Sequence, residues 1–168
     1  MTQTAAQPLV REDVTASNRP DAGDSAPIAE QANVQIIQRL YDAFLRRDVV
    51  ALLDGMDEDV EWRIDGPAEI AFTGAARGHG EVARVLQKSF ATVQDQKPEV
   101  RQVSAEGDTV TVHGFERGTH KLTGNPYETS WVHVFTLRDG KVVKFHEEFE
   151  HAPIMEAMKT EVRKEAVS

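Results

Sequence analysis

Apolar residues in the first half of the chain recur at intervals of three and four, the spacing of a helix with one buried face. This pattern predicts a first helix that begins near residue 33, with Asn33 as its N-cap. A second, short helix is expected after Asp48, and a third over residues 80–93. Between these two helices, residues 59–64 alternate between apolar and polar, which predicts a strand, and the glycine-rich residues 65–80 predict a loop.

After residue 98 the apolar spacing changes to every second residue, which is typical of strands. Strands joined by short turns are predicted over residues 99–105, 108–118, 127–137 and 141–150. A short helix that contains Ile154 and Met158 follows them. The pattern predicts an α+β fold, in which a cone-shaped, curved antiparallel β-sheet carries three to four helices on its concave face.

The two ends of the chain differ in composition from the part between them. Residues 1–30 contain three of the seven prolines and no aromatic side chain, so they cannot bury enough apolar surface to offset the entropy cost of ordering. We therefore expect a flexible leader over residues 1–30, one folded domain over residues 33–159 and a frayed polar tail over residues 160–168.

Charge and residue usage narrow the classes of partner. The 168 residues include 19 Lys and Arg against 28 Asp and Glu, a net charge of −9, so nucleic acid is not expected as a partner. The absence of cysteine excludes disulfides, thiolate metal sites and cysteine nucleophiles. The sequence has no apolar run long enough for a membrane span and no signal-peptide pattern, so we expect no membrane partner and a cytoplasmic location.

The last predicted hairpin decides which side chains face the helices. We expect a three-residue loop, Arg138-Asp139-Gly140, with Leu137 opposite Lys141. One face would then hold Trp131, His133, Phe135, Val143, Phe145, Glu147 and Phe149. The other face would hold Val132, Val134, Thr136, Val142, Lys144, His146 and Glu148. A two-residue Asp139-Gly140 turn would shift the register by one residue and mix the two sets, so we favour the first register.

Two residues on the aromatic face are candidate catalytic groups. In the favoured register His133 and Glu147 are diagonal neighbours on adjacent strands, within reach of their side chains. Such groups remain in an apolar environment only when they are hydrogen-bonded or paired. They are therefore either an acid–base pair that moves a proton on a ligand or a satisfied structural pair that closes the core.

Other side chains are predicted to surround this pair. The expected pocket-lining residues are Trp62, Trp131, His113, Phe115, Phe135, Phe145, Phe149, Tyr41 and Phe90, and the expected rim residues are Asp65, Tyr127 and Arg117. The strand over residues 108–118 offers two possible inner faces. One carries His113, Phe115 and Arg117; the other carries Val110, Val112, Gly114 and Glu116, of which we expect Glu116 to be in solvent.

We expect no metal and no cofactor. His113, His133 and Glu147 include the residue types of a two-histidine, one-carboxylate site, but no local ligand spacing supports one. The sequence also contains no glycine-rich phosphate loop and no dinucleotide fingerprint. Any chemistry would then need only positioned protons and an apolar cavity.

Three segments resemble the nuclear transport factor 2-like superfamily, and within it the SnoaL-like, ketosteroid isomerase-related proteins. The segments are IIQRLYDAFLRRDVVALLDGMDEDVEW at 36–62, RGHGEVARVL at 77–86 and FTLRDGKVVKFHEEFEHAPIMEAM at 135–158. The resemblance covers residues 33–159 and implies a conical apolar pocket. Polyketide cyclases of this superfamily use a histidine and a carboxylate as acid and base, which His133 and Glu147 resemble.

The resemblance to ketosteroid isomerases does not extend to their catalytic residues. Their general base corresponds to Ile64, with Asp65 one place later, and their catalytic tyrosine corresponds to Leu40, with Tyr41 one place later. Their oxyanion-stabilising aspartic acid corresponds to His133. The classical ketosteroid isomerase reaction is therefore not expected.

Together, residues and resemblance predict a cyclase, isomerase or dehydratase that acts on a small, largely apolar substrate by cofactor-free acid–base catalysis. Two alternatives stay open: a non-catalytic module that binds an apolar ligand, and a dimerisation domain whose pocket is filled by its own side chains. In each case the resemblance implies a homodimer formed through the open face of the sheet. Val132, Val134 and Val142 are the apolar residues expected on that face.

Overall fold

A computed structural model describes residues 26–160 as four helices and six strands. The helices are α1 (Ala26–Leu45), α2 (Val49–Asp54), α3 (Gly78–Thr92) and α4 (His151–Ala157). The strands are β1 (Met56–Ile64), β2 (Gly74–Arg77), β3 (Val93–Glu106), β4 (Thr109–His120), β5 (Pro126–Arg138) and β6 (Lys141–Phe149). Most of the predicted leader, residues 1–25, and most of the predicted tail, residues 161–168, lie outside the described residues.

The helices match the predicted positions except at the start of α1. This helix begins at Ala26, so Asn33 lies inside it and is not an N-cap, and residues 26–30 of the predicted leader are helical. The helix-favouring residues before Asn33 outweigh its capping preference. Asp48 does cap α2, because its Oδ1 accepts a hydrogen bond from the Ala51 backbone N–H at 3.0 Å.

The six strands form one sheet in the order β2-β1-β6-β5-β4-β3. Strands β3 to β6 form the predicted antiparallel meander, but β1 pairs with β6 in parallel, so the sheet is mixed rather than wholly antiparallel. The chain crosses by β2 and α3 to the far edge, and the meander then brings β6 back beside β1. The predicted loop at residues 65–80 contains the short strand β2, which pairs with β1.

The β5–β6 hairpin has the turn that we did not favour. Arg138 pairs with Lys141, so the loop is Asp139-Gly140, and both loop residues have positive φ, as a type I′ turn requires. A β-bulge next to Leu137 then shifts the register by one residue, which returns the aromatic side chains to a common face. The bulge places Val142, rather than the predicted Val143, in the core.

The inner face of β4 is the opposite of the one that we predicted. Val110 and Val112 are fully buried, whereas His113 is exposed and Phe115 packs on the outer face beneath the Arg101 guanidinium, 4.7 Å from the ring centroid. His113 and Phe115 are therefore not pocket residues. Burial of the two valines decides the orientation of the strand.

The concave face of the sheet and the helices enclose one hydrophobic core that surrounds a cavity. Its aromatic members include Trp62, Phe72, Trp131, Phe135 and Phe145. Within residues 26–160, none of the helices combines the length and the apolar character of a membrane span.

Gly114 allows β4 and β5 to hold Trp131 in place. A Cβ atom at Gly114 would overlap the Trp131 ring, which leaves no room for any larger residue. We expect Gly114→Ala to lower the free energy of unfolding by about 1–3 kcal/mol, the usual cost of overpacking a core. Denaturant unfolding measures this change.

Gly80→Ala is the matched control, because a Cβ atom at Gly80 in α3 meets nothing within 4 Å. Alanine favours helices more than glycine does, so this variant should be as stable as the wild type or more so. Equal stability of the Gly114→Ala variant and the wild type would contradict the packing described.

Candidate active site

A cavity of about 110 Å³ lies between the concave face of the sheet and the helices. It is lined by apolar side chains, with a few polar groups at two places. The volume is below the range of about 300–1,000 Å³ that is usual for drug-sized ligands, so it favours ligands no larger than a single ring. Trp62 and Trp131 line it, and their buried indole N–H groups have no hydrogen-bond acceptor among residues 26–160.

The first polar group is a chain of three side chains, Tyr41, His133 and Glu147. The Tyr41 hydroxyl is 2.7 Å from His133 Nδ1, and His133 Nε2 is 2.9 Å from Glu147 Oε1. His133 and Glu147 are directly opposite on β5 and β6, rather than diagonal as predicted, because the two-residue turn and the bulge each shift the register by one residue. Their side chains are only 14% and 15% exposed.

Aromatic neighbours fix the orientation of the His133 ring. Trp131 stacks on it with ring centroids 4.0 Å apart and planes 15° apart, and the Phe145 ring meets it edge-on at 5.2 Å. Tyr41 comes from α1 on the other side of the cavity, where Leu40 faces the core beside it. The helix thus supplies the hydroxyl and the hairpin supplies the imidazole and the carboxylate.

The hydrogen-bond partners limit where the protons of this chain can lie. When the Glu147 carboxyl is ionised it only accepts, and the proton between His133 and Glu147 then belongs to Nε2. In a neutral imidazole, Nδ1 then accepts from the Tyr41 hydroxyl; in an imidazolium, Nδ1–H donates to Tyr41 and leaves its O–H free for a ligand. Both ring nitrogens are engaged, so Glu147 Oε2 is available to a ligand in either state, and the Tyr41 O–H is available when His133 is the imidazolium.

Tyr41 is held in its protonated form. Burial raises the pKa of the Tyr41 phenol well above its usual value, and the nearby charge of Glu147 raises this pKa further. The Tyr41 phenol is therefore a hydrogen-bond donor at neutral pH.

A second polar group lies at another part of the same cavity. Glu116 Oε2 accepts hydrogen bonds from the Tyr127 hydroxyl at 2.8 Å and from Gln96 Nε2 at 3.1 Å. All three residues line the cavity. Burial raises the pKa of the Glu116 carboxyl, and the two hydrogen bonds act in the opposite direction. The prediction that Glu116 lies in solvent is therefore wrong.

The other predicted site residues divide into two groups. The residues that line the cavity are Trp62, Trp131, Phe135, Phe145, Phe149, Tyr41 and Tyr127. The residues that do not line it are His113, Phe115, Phe90, Asp65 and Arg117. Phe90 packs against Phe44 behind the cavity wall, and Arg117 is 66% exposed beside Glu128.

Asp65 belongs to a cluster on the outer face of the sheet. Its carboxylate binds Arg63 Nε at 2.7 Å and His146 Nε2 at 2.7 Å, and these hydrogen bonds hold its pKa below the usual value. Asp65, His146 and Glu148 are close enough to ligate a metal ion. The cation of Arg63 already occupies this carboxylate, so the cluster is a poorer metal site than its residue types indicate.

Comparison with known proteins identifies the class to which this fold belongs. The chain resembles an NTF2-like protein from Burkholderia xenovorans at 34% identity and a TM-score of 0.70, over 77% of this chain and 98% of that one. It also resembles TerC, co-crystallised with polyporic acid, at 28% identity and a TM-score of 0.69, over 75% of this chain and 97% of TerC. The fold is therefore NTF2-like.

Within that class, the SnoaL-like domain family matches residues 37–145, and the chain belongs to this family. A SnoaL-like polyketide cyclase assigned in Jannaschia sp. CCS1 shares the fold, with 23% identity and a TM-score of 0.69 over 81% of this chain and 96% of that one. No curated protein sequence matches the chain. The resemblance inferred from the three sequence segments is confirmed.

The two tyrosines of the chain, Tyr41 and Tyr127, provide a test of this electrostatic environment. Burial raises both pKa values well above the usual 10, and for Tyr127 the charge of Glu116 adds to the effect. Above about pH 10 the folded chain then holds more phenol protons than the unfolded chain, so the free energy of unfolding falls as the pH rises.

We expect phenolate absorbance to appear only at the alkaline pH at which circular dichroism reports unfolding. Titration in denaturant is the control and should show both phenols ionising near pH 10. Phenolate absorbance near pH 10 from the folded protein would contradict the buried, hydrogen-bonded positions of the two phenols.

Proposed function

We propose that the protein is an enzyme that moves protons on a small, largely apolar carbonyl compound, by general acid–base catalysis without a cofactor. The observation that carries this proposal is the hydrogen-bonded chain Tyr41–His133–Glu147 at the wall of an apolar cavity. It contains a carboxylate base with one oxygen left for a ligand, and a phenol whose O–H can donate to a ligand when His133 is the imidazolium.

Glu147 is the base in this mechanism. Its Oε1 is held by His133, while no protein partner occupies its Oε2 among the described residues. Oε2 takes a proton from the carbon next to the substrate carbonyl. The electron pair of that C–H bond moves onto the carbonyl oxygen and forms an enolate.

Tyr41 stabilises the enolate. With His133 as the imidazolium, Nδ1–H donates to the Tyr41 oxygen, and the Tyr41 O–H donates to the developing oxyanion. Glu147 then returns its proton to the same or another carbon. The enolate is shared by isomerases, aldol-type cyclases and dehydratases, so this arrangement supports all three reaction types.

The comparisons favour a small-molecule site without naming the substrate. TerC was co-crystallised with polyporic acid, and we propose that the corresponding cavity of this chain takes a smaller compound, in keeping with its volume of about 110 Å³. The apolar walls exclude water from the proton transfer, which strengthens the electrostatic interactions within the cavity.

The small volume also favours a second candidate, a module that binds an apolar ligand without converting it. In this case Tyr41, His133 and Glu147 are a satisfied structural chain, and binding leaves the ligand unchanged. The enzyme would raise the acidity of the C–H bond next to the carbonyl of a bound ketone, whereas the binding module would not.

Hydrogen–deuterium exchange separates them. Acetophenone and other small uncharged ketones are incubated with the protein in D2O, and deuterium uptake next to the carbonyl is followed by NMR. We expect the wild type to accelerate uptake, and Glu147→Gln to lower the enzymatic rate by about 10²–10⁴-fold. Tyr41→Phe should lower it by about 10²-fold or more, as loss of an oxyanion donor does.

Glu148→Gln is the matched control, because Glu148 is the next residue of β6 but lies exposed on the outer face. It should exchange at the wild-type rate. Wild-type protein that binds the ketones without accelerating exchange would support the binding module. An unchanged rate in Glu147→Gln would overturn the role of this carboxylate.

We further propose that the protein forms a homodimer through the outer face of the sheet, as the family resemblance implies. Val132 and Val134 are half-buried there, whereas Val142 is buried in the core and is not part of this surface. We expect sedimentation velocity to show a dimer and Val134→Glu to shift it to a monomer, because the charge would be buried unpaired. A monomeric wild type would contradict this.

A further inference from the structure

Glu116 is a carboxyl group in the cavity that the proposed proton transfer does not use. Its Oε2 accepts from Tyr127 and Gln96, but its Oε1 has no hydrogen-bond partner among the described residues. Glu116 thus lies on the inner face of β4, where two neutral donors hold its Oε2. Its Oε1 is available to bind a ligand.

The position of Glu116 separates it from the first polar group. It lies opposite Thr129 on β5, four residues before His133, which places the two backbone positions about 13 Å apart along the strand. Both groups line the same cavity, with Trp131 between them on β5. A ligand that touches both therefore has polar atoms at two ends of an apolar body.

The polar atom that suits Glu116 is a hydroxyl group. If Glu116 is protonated, its proton is on Oε1, since Oε2 already accepts twice, and Oε1–H donates to the hydroxyl oxygen. If Glu116 is ionised, Oε1 accepts from the hydroxyl proton. A hydroxyl group fits both states, whereas a carbonyl fits only the protonated one.

The charge of the ligand is limited by the same residues. Among the described residues that line the cavity there is no lysine or arginine, while Glu116 and Glu147 supply two carboxyl groups. A carboxylate or phosphate on the ligand would meet no lysine or arginine there, and Glu147 would repel it. The ligand is therefore not an anion, and the proposed reaction on a largely apolar carbonyl compound favours a neutral one.

We propose that Glu116 Oε1 binds a hydroxyl group at the end of an uncharged, single-ring ligand whose carbonyl lies at Tyr41. This inference rests on the proposed use of the cavity as a substrate site. In this proposal Glu116 selects ligands that carry a hydroxyl group, and Tyr127 and Gln96 position its carboxyl group.

Three related ketones test the inference: acetophenone, 4-hydroxyacetophenone and 4-acetylbenzoate. Dissociation constants are measured by NMR titration at a slightly acidic pH. We expect the wild type to bind the hydroxylated ketone about tenfold more tightly than acetophenone, the effect of one added hydrogen bond, and the carboxylate more weakly than either. Glu116→Met should abolish the preference for the hydroxyl, so that this variant binds the two uncharged ketones with equal affinity.

Two further variants separate the two proposals. Tyr41→Phe should weaken both uncharged ketones by the same factor, because the carbonyl contact is common to them. Glu128→Met is the matched control: Glu128 is an exposed glutamate beside Arg117 on the outer face, and its loss should change neither affinity. Circular dichroism checks the fold of each variant.

A measurement on the wild type covers the case in which Glu116→Met does not fold. In protein labelled with 13C at glutamate, the carboxyl resonance of Glu116, assigned by its loss in Glu116→Gln, should shift with 4-hydroxyacetophenone but not with acetophenone. Equal wild-type affinities for these two ketones, or a preference that persists in Glu116→Met, would overturn the role of Glu116 alone. Failure of both to bind folded wild type would overturn the proposed function with it.

Discussion

The cost of placing ionisable groups in an apolar cavity governs much of this structure. His133 and Glu147 can stay on the concave face only because each has a hydrogen-bond partner there, and Tyr41 completes the chain from α1. Glu116 meets the same requirement through Tyr127 and Gln96. The cavity therefore carries two hydrogen-bonded polar groups in a largely apolar wall, and each keeps one carboxyl oxygen for a ligand.

Hydrophobic periodicity predicts most of the helices and strands. It predicts less well which face of a strand each residue occupies. Helix and strand positions are close to those predicted. The set of inward-facing residues predicted for the last hairpin is correct except that Val142, and not Val143, is buried in the core. The bulge beside Leu137 is not visible in the periodicity, because it compensates for a turn that alone would reverse the faces. The prediction thus reached the right face for His133 through the wrong register.

The inner face of β4 shows why Glu116 was missed. Its two faces are similarly apolar in sequence, so periodicity does not choose between them. A better signal is the pair of glycines on either side of Glu116: Gly114 pairs with Trp131 and Gly118 with Tyr127, and a Cβ atom at either glycine would overlap that aromatic ring. Glycines opposite large aromatic residues mark the face on which those rings lie.

The parallel pairing of β1 with β6 also affects how the chain is made. Strand β1 ends at Ile64, but its parallel partner β6 begins only at Lys141. Some 80 further residues must therefore be synthesised before this edge of β1 is covered. Until then the apolar side chain of Trp62 is without its partner Phe145 in β6. During synthesis, the ribosome-bound intermediate thus exposes a strand edge that can aggregate or recruit a chaperone.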